Sequence, residues 1–354
     1  SADPESWAMI QNNLATAYAD RLVGSRADNI EQAIHHFRQA LEVYTRSADP
    51  ERWAVTQNNL ATAYRDRIAG SRADNIEQAI HHYQLALEVY TRSAFPVEYL
   101  DTLKNVVQLF FAEKRWSECY RNALDAIVAG TDIFAAAYSD SGRMDAIKQT
   151  GWLYHRAAYS ALQDGHYGES LVQLEAGKAR LLAEVQSLGD ANLTQLEADE
   201  RERFQALREE IKVLEYESRL PQDAPAHRDA RLIAEDLRVV RTRLRSLVGE
   251  LRSKYPDFMP EGLPLGELLA LIPPDGALVA PLFTEHGSAI FVVPGGTQEI
   301  TSENVLLLDD FTRADLTAIT RLTDDQPGWL QYYMDYLNTV QDKSKSIEEK
   351  RLAS

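Results

Sequence analysis

A single cysteine, Cys119, in 354 residues leaves no internal disulfide framework and no multi-cysteine metal site. Long apolar runs are missing too. No uninterrupted stretch approaches the roughly 18 residues of a membrane span, so no transmembrane helix is expected. No signal peptide is visible, which makes the cytoplasm the expected compartment. Positive charge is scarce: 37 Lys and Arg face 54 Asp and Glu, for a net charge of −17. That balance excludes a nucleic-acid backbone or an anionic membrane as the main partner. A hydrophobic fraction of 45% with 26% charged residues still specifies a folded protein rather than a disordered one. The chain is too long for one ordinary core, so it must form two or three domains or a repeat array.

Self-similarity decides between these. Trp7-Ala8-Met9-Ile10-Gln11-Asn12-Asn13-Leu14-Ala15-Thr16-Ala17-Tyr18 returns 46 residues later as Trp53-Ala54-Val55-Thr56-Gln57-Asn58-Asn59-Leu60-Ala61-Thr62-Ala63-Tyr64, and 34 of 42 positions agree between 7–48 and 53–94. A diverged third copy begins at Phe95-Pro96, with Tyr99, Asn105, Val106 and Phe110 at the same offset. A weaker fourth pair covers roughly 145–184, with Tyr154, Tyr167, Ser170 and Gly177 in register and Asp164-Gly165 at its turn.

Each copy reads as two helices. Asp3-Pro4-Glu5 and Asp49-Pro50-Glu51 supply an N-cap, a proline at N1 and a first-turn acid. The first helix should run to about Gly24 or Gly70, where glycine can end it in the left-handed conformation. Asp28-x-x-Glu31 and Asp74-x-x-Glu77 predict the N-cap of the second helix. Leu14, Ala15, Tyr18, Ala33, Phe37 and Ala40, repeated as Leu60, Ala61, Tyr64, Ala79, Tyr83 and Ala86, resemble the tetratricopeptide pattern, apart from an interhelical loop about six residues longer. The opening Ser1-Ala2-Asp3-Pro4 matches the linker Ser47-Ala48-Asp49-Pro50, and no initiator methionine is present, so further repeats are expected ahead of residue 1.

The texture then changes twice. Phe204, Leu207, Ile211 and Leu214, and then Ile233, Leu237, Val240, Leu244, Leu247 and Leu251, alternate spacings of three and four around Pro221-Gln222-Asp223-Ala224-Pro225. This predicts an antiparallel coiled-coil hairpin with a charged, solvated outer face. Beyond Tyr255-Pro256, prolines and glycines mark a boundary. A short helix is expected over 263–271, strands over 277–283 and 288–293, a third strand near 297–301, and helices from Thr312 and over 327–340. The predicted fold is therefore mainly α: tetratricopeptide-type repeats over 1–190, the hairpin over 191–258, and a small partial α/β segment over 259–354.

The helix pairs, Leu174-Glu175-Ala176-Gly177-Lys178-Ala179-Arg180-Leu181-Leu182, the hairpin, Leu265-Gly266-Glu267-Leu268-Leu269-Ala270-Leu271-Ile272-Pro273 and the strand Ile290-Phe291-Val292-Val293 together resemble the arm and opening strands of the CHAT family, caspase-like domains associated with tetratricopeptide repeats. The resemblance implies a parent cysteine peptidase, or a degenerate relative, with a mostly parallel central sheet and repeats that sense or hold a partner. The family's catalytic histidine and cysteine lie on later loops, and no residue here matches either. The alternative is a stand-alone repeat scaffold or adaptor with no protease relationship.

Candidate chemistry within the chain is thin, and no catalytic residue, metal site or cofactor is expected. Cys119 occupies a small-residue position of a repeat helix and reads as core. His286 reads as a hairpin-turn residue. His35-His36 and His81-His82 diverge by about 100° on a helix, which makes poor chelates and solvated faces. The richest surface is the inner face of the first helix of each pair, a groove for extended or helical peptides. Counting from the signature leucine places Asn12, Thr16, Asp20, Asn58, Thr62, Arg65, Asp66, Lys104 and Gln108 on it, with the asparagines able to grip a peptide backbone. The expected partner is a protein or peptide, and the sequence leaves the oligomeric state open.

Overall fold

The computed structural model describes residues 3–136, 140–187, 191–218, 228, 230–255, 258 and 262–320. The described chain is mostly helical and opens with consecutive pairs: α1 (Pro4–Ala19) with α2 (Arg26–Leu41), α3 (Pro50–Arg65) with α4 (Arg72–Leu87), α5 (Pro96–Ala112) with α6 (Trp116–Ala136), and then α7 (Asp140–Gln163) and α8 (Tyr167–Ser187). From α1 to α7 each helix packs on its sequence neighbour, and α1, α3 and α5 also touch in series.

The first helices start as expected, with Asp3 and Asp49 accepting hydrogen bonds from the Ser6 and Arg52 amides and proline at N1. They stop earlier, at Ala19 and Arg65, with Asp20 and Asp66 as C-caps. Gly24 (φ +90°) and Gly70 (φ +79°) sit instead inside the loops. The second helices are capped by Ser25 and Ser71, whose hydroxyls accept from the Asp28 and Asp74 amides. The serine lies three residues ahead of each aspartate, so it takes the cap and the aspartate becomes a first-turn acid. Asn29 and Asn75, both buried, then hold the loop: Asn29 Nδ2 donates to the Val23 carbonyl at 3.1 Å and Asn75 Nδ2 to the Ala69 carbonyl at 2.9 Å.

Small residues set the helix crossings. Ala8, Ala15, Ala33, Ala40, Ala54, Ala61, Ala79 and Ala86 are fully buried, and Phe37 and Tyr83 fill the space beside them. At the α6–α7 crossing a β-carbon on Gly130 would run into the Thr150 methyl group, so glycine lets the two helices approach closely. Cys119 is buried, with Sγ 3.7 Å from the Val107 carbonyl.

A single turn, α9 (Ala191–Thr194), leads to α10 (Ala198–Ser218) and α11 (Ala230–Lys254), which bury the predicted heptad residues against each other together with Phe258. The proline turn over 221–225 lies outside the described residues. The hairpin also touches the repeats. Arg245 Nη2 donates to Asp132 Oδ2 on α6 at 2.8 Å, and Asp132 also receives both donors of Arg92 at 2.5 and 2.9 Å.

Contacts divide the described residues into two compact units: those up to His166 with Val172–Leu263, and Tyr167–Leu171 with those from Pro264 on. The second holds α12 (Leu265–Ala270), β1 (Ala277–Thr284), β2 (Gly287–Pro294), β3 (Val305–Leu308) and α13 (Arg313–Thr320). The strands order β1-β2-β3 with both pairings antiparallel, Val279 opposite Val292 and Ile290 opposite Leu306. One expectation fails here. The third strand is not at 297–301: Gly296 (φ +83°) turns the chain, Thr301 caps a 3-10 turn at Ser302–Asn304, and pairing resumes at Val305. None of the described strands is parallel, because each is joined to the next by a connection too short for a crossover. The helix expected over 327–340 lies outside the described residues.

Candidate partner-binding face

The face expected to bind is built by α1, α3 and α5, whose opposite sides are held by α2, α4 and α6. Of the nine residues counted onto it, Thr16, Asp20 and Gln108 are exposed, and Asn12, Asn58, Thr62, Arg65, Asp66 and Lys104 are half-buried.

The asparagines are partly committed to the array. Asn12 Oδ1 accepts from Thr56 Oγ1 at 3.2 Å, and Asn58 Oδ1 accepts from Asn105 Nδ2 at 3.5 Å, so each links its helix to the next repeat. Their amide nitrogens have no partner among the described residues and remain available as donors. Thr16 and Thr62 donate back to the Asn12 and Asn58 carbonyls at 3.1 and 3.2 Å, and Thr62 Oγ1 also lies 3.0 Å from the Tyr83 hydroxyl.

The charges are paired locally. Arg65 Nε donates to Asp66 Oδ1 at 2.8 Å. Burial is the largest single influence and acts to lower the Arg65 pKa, but the Asp66 hydrogen bond and the charges of Tyr83 and Asp66 together outweigh it and raise the pKa. Asp66 also meets Arg26 at 3.3 Å, and Lys104 Nζ meets Asp101 at 2.8 Å. The structure therefore gathers Arg65 and Asp66 into one ionic group, ties the asparagines and threonines into rows along the helices, and leaves Asp20 and Gln108 outside both.

The histidine pairs are not simply solvated. His35 and His81 are exposed, but His36 and His82 are half-buried. His82 stacks on Tyr64 with ring centroids 5.4 Å apart, and its Nδ1 lies 2.6 Å from Gln57 Oε1. Burial, then His81 and Arg38, push the His82 pKa down to about 4. Residues one step apart on a helix need not share an environment, and the neighbouring tyrosine four residues after the signature leucine was the available signal.

Sequence reasoning also missed an ionic ladder between repeats. Arg26 reaches Asp66, and Arg72 reaches Glu113 at 2.5 Å. In the reverse direction Arg67 reaches Glu31 at 2.6 Å, and Arg115 reaches Glu77 at 2.7 Å. Along another edge Arg46 pairs with Glu88 and Arg92 with Asp132. The signal was present as arginines and acids recurring one repeat apart.

Among the described residues no helix is long and apolar enough to cross a membrane, and no cluster of three His, Cys, Asp or Glu is placed to hold a metal. A family model described as "SNAP: Soluble NSF attachment protein, SNAP" matches residues 2–127, the first two helix pairs, α5 and the first half of α6. No curated protein and no solved structure matches the chain. The match covers roughly a third of the chain and makes this region similar to that family's helical array.

Proposed function

We propose that this chain is a non-catalytic protein-interaction scaffold whose α1–α3–α5 face holds a peptide or protein segment, and that it serves as the sensing arm of a caspase-like, tetratricopeptide-associated cysteine protease. The observation that carries the scaffold reading is the row of free amide donors and exposed polar side chains, Asn12, Thr16, Asn58 and Gln108, on a face backed by fully buried alanines. A rigid backing lets such donors meet a peptide backbone without reorganisation. Similarity to a family named for attaching to a protein partner supports the same class.

The protease relationship rests on the order of elements: helix pairs, the α10–α11 hairpin, α12, then the β1–β2 hairpin with Ile290-Phe291-Val292-Val293. The non-catalytic reading is supported by Cys119, whose thiol is fully buried in the repeat core with Sγ 3.7 Å from the Val107 carbonyl, out of reach of a substrate.

A displayed peptide library screened against the full chain tests the binding reading. Selected peptides should be neutral or cationic, given the net charge of −17. Gln108→Lys with Thr16→Lys should weaken them at least tenfold. Peptides indifferent to both substitutions would place the site elsewhere. A thiol-directed activity probe and peptide substrates test the second reading, and Cys119-dependent turnover would overturn it.

A further inference from the structure

The first helix pair exposes a surface that the other pairs bury. Ile10 is 58% exposed, whereas its counterparts Thr56 and Thr102 are 0% and 1% exposed. Leu14 is 38% exposed, and its counterparts Leu60 and Val106 are 1% and 6%. Ala17 is exposed, while Ala63 and Leu109 are buried. On α3 and α5 this face lies under the preceding pair, through α2 on α3 and α4 on α5.

The ladder of ion pairs stops at the same surface. Asp66 and Glu113 are the C-caps that receive arginines from the preceding pair, and the matching C-cap on α1, Asp20, receives none among the described residues. Arg67 and Arg115 reach back to glutamates of the preceding pair, and the guanidinium of Arg21, their counterpart, has no ion-pair partner among the described residues. Glu88 and Asp132 receive Arg46 and Arg92, and the matching Glu42 is unpaired among the described residues. Asp20, Arg21 and Glu42 are all exposed.

An apolar stripe bounded by two acids and one base, each in the position where the array elsewhere uses that charge, defines its complement. We propose that the open face of α1 and α2 is a docking surface for one further helix pair with this repeat's own outward chemistry. Its second helix would bring an arginine like Arg26 to Asp20 and a glutamate like Glu31 to Arg21 and would cover Ile10, Leu14 and Ala17, and the turn after that helix would bring an arginine like Arg46 to Glu42. Opposite-charge contacts at three fixed points set register as well as attraction, and a partner with the signs reversed is rejected.

The probe is a copy of residues 3–48 fused ahead of Asp3 in the full chain, which recreates the Ala48–Asp49 junction as Ala48–Asp3. Amide exchange across Pro4–Ala19 is the readout. Docking should slow it at least tenfold, towards the rates of Pro50–Arg65. The triple change Asp20→Lys, Arg21→Glu and Glu42→Lys in the recipient pair should abolish most of that gain. In the unextended chain the same changes should leave the melting temperature nearly unaltered, because none of the three charged groups has an ion-pair partner among the described residues. Ile10→Gln in the extended chain gives a second, charge-neutral variant and should also reduce the gain. Unchanged exchange on extension would overturn the proposal, as would full protection in the triple variant. Protection of α1 in the unextended chain that rises with protein concentration would assign the face to a second copy instead and overturn it equally.

Discussion

Thr56 Oγ1 donates to Asn12 Oδ1 across the boundary between the first two repeats, at 3.2 Å. Asn12 therefore faces two ways: its oxygen belongs to the array, and its amide nitrogen is free for a ligand. Asn12→Asp keeps an acceptor for Thr56 and removes the donor. It should leave stability within about 0.5 kcal/mol and still weaken a peptide ligand. Asn12→Ala should lose both, with a stability cost of about 1 kcal/mol, limited because Thr56 retains its 2.8 Å bond to the Arg52 carbonyl. Urea unfolding together with titration of a selected peptide separates the two. Equal loss of binding and stability in Asn12→Asp would make the residue purely structural.

Ala86 is fully buried and packs with Ala54 and Tyr90. A leucine there has no space to enter. Ala86→Leu should cost roughly 1–3 kcal/mol through overpacking, and Ala40→Leu, its counterpart beside Ala8 and Tyr44, about the same. Thermal melts of the two variants check this, and an unaltered melting temperature would contradict the repeat register.

The repeat was legible because near-duplication exposes which positions are constrained: alanine at each crossing, tyrosine or phenylalanine beside it, aspartate and proline at each start. The loops were less legible. A glycine signals a positive φ but not whether it ends a helix or turns a loop, and Gly24 and Gly70 do the latter. Serine against aspartate as cap was decided by which residue placed its oxygen near an unpaired amide, and Ser25 and Ser71 did so. On the binding face, helical geometry gave the right side of α1, α3 and α5. It did not give the contacts between repeats that occupy Asn12, Asn58 and Asp66, because those pair residues about 40 positions or more apart.

His82 gives the array a pH response. Its pKa is pushed down to about 4 in the folded chain from an ordinary value of 6.5. The unfolded chain therefore binds the proton more tightly, and stability rises with pH across that interval. The contribution is complete above about 6.5 and is lost as pH falls towards 4, with a size of order 2 kcal/mol after allowance for partial exposure. His82→Gln should flatten the stability profile between those limits. Denaturant midpoints at a series of pH values measure it, and an unchanged slope would remove His82 as the cause.

Asp132 joins three elements by accepting from Arg92 on the repeat side and Arg245 on the hairpin. Asp132→Asn keeps the size and removes the charge that both guanidiniums share. Amide exchange in Ala230–Lys254 should quicken several-fold, with α3 and α4 unaffected, because the α10–α11 core does not depend on the joint. Arg245→Lys should fall between, since a point charge cannot reproduce the paired donors. Uniform quickening across the repeats would mean that Asp132 supports the array rather than the hairpin.

The antiparallel sheet makes the last case. Its two faces differ: Ala280, Leu282, Ala289, Phe291 and Val293 are fully buried, whereas Val279, Val292 and Leu306 are 59%, 44% and 56% exposed. Val279 pairs with Val292, and Leu306 with Ile290 two residues along, so the exposed three share one side of the sheet. Substitution on that side removes little buried area, and Val279→Thr with Leu306→Thr should cost less than about 1 kcal/mol, partly offset by strand propensity. Phe291→Ala on the other side should cost about 3–5 kcal/mol through the cavity it leaves. The threonine pair should also lower any self-association of the chain, because contiguous exposed apolar surface beside an open strand edge favours pairing between copies. Sedimentation velocity and denaturant unfolding of the three variants give both quantities. If the threonine variant proved as destabilised as Phe291→Ala, the side carrying Val279, Val292 and Leu306 would have to be covered in the folded protein, and its occupant would become the next element to find.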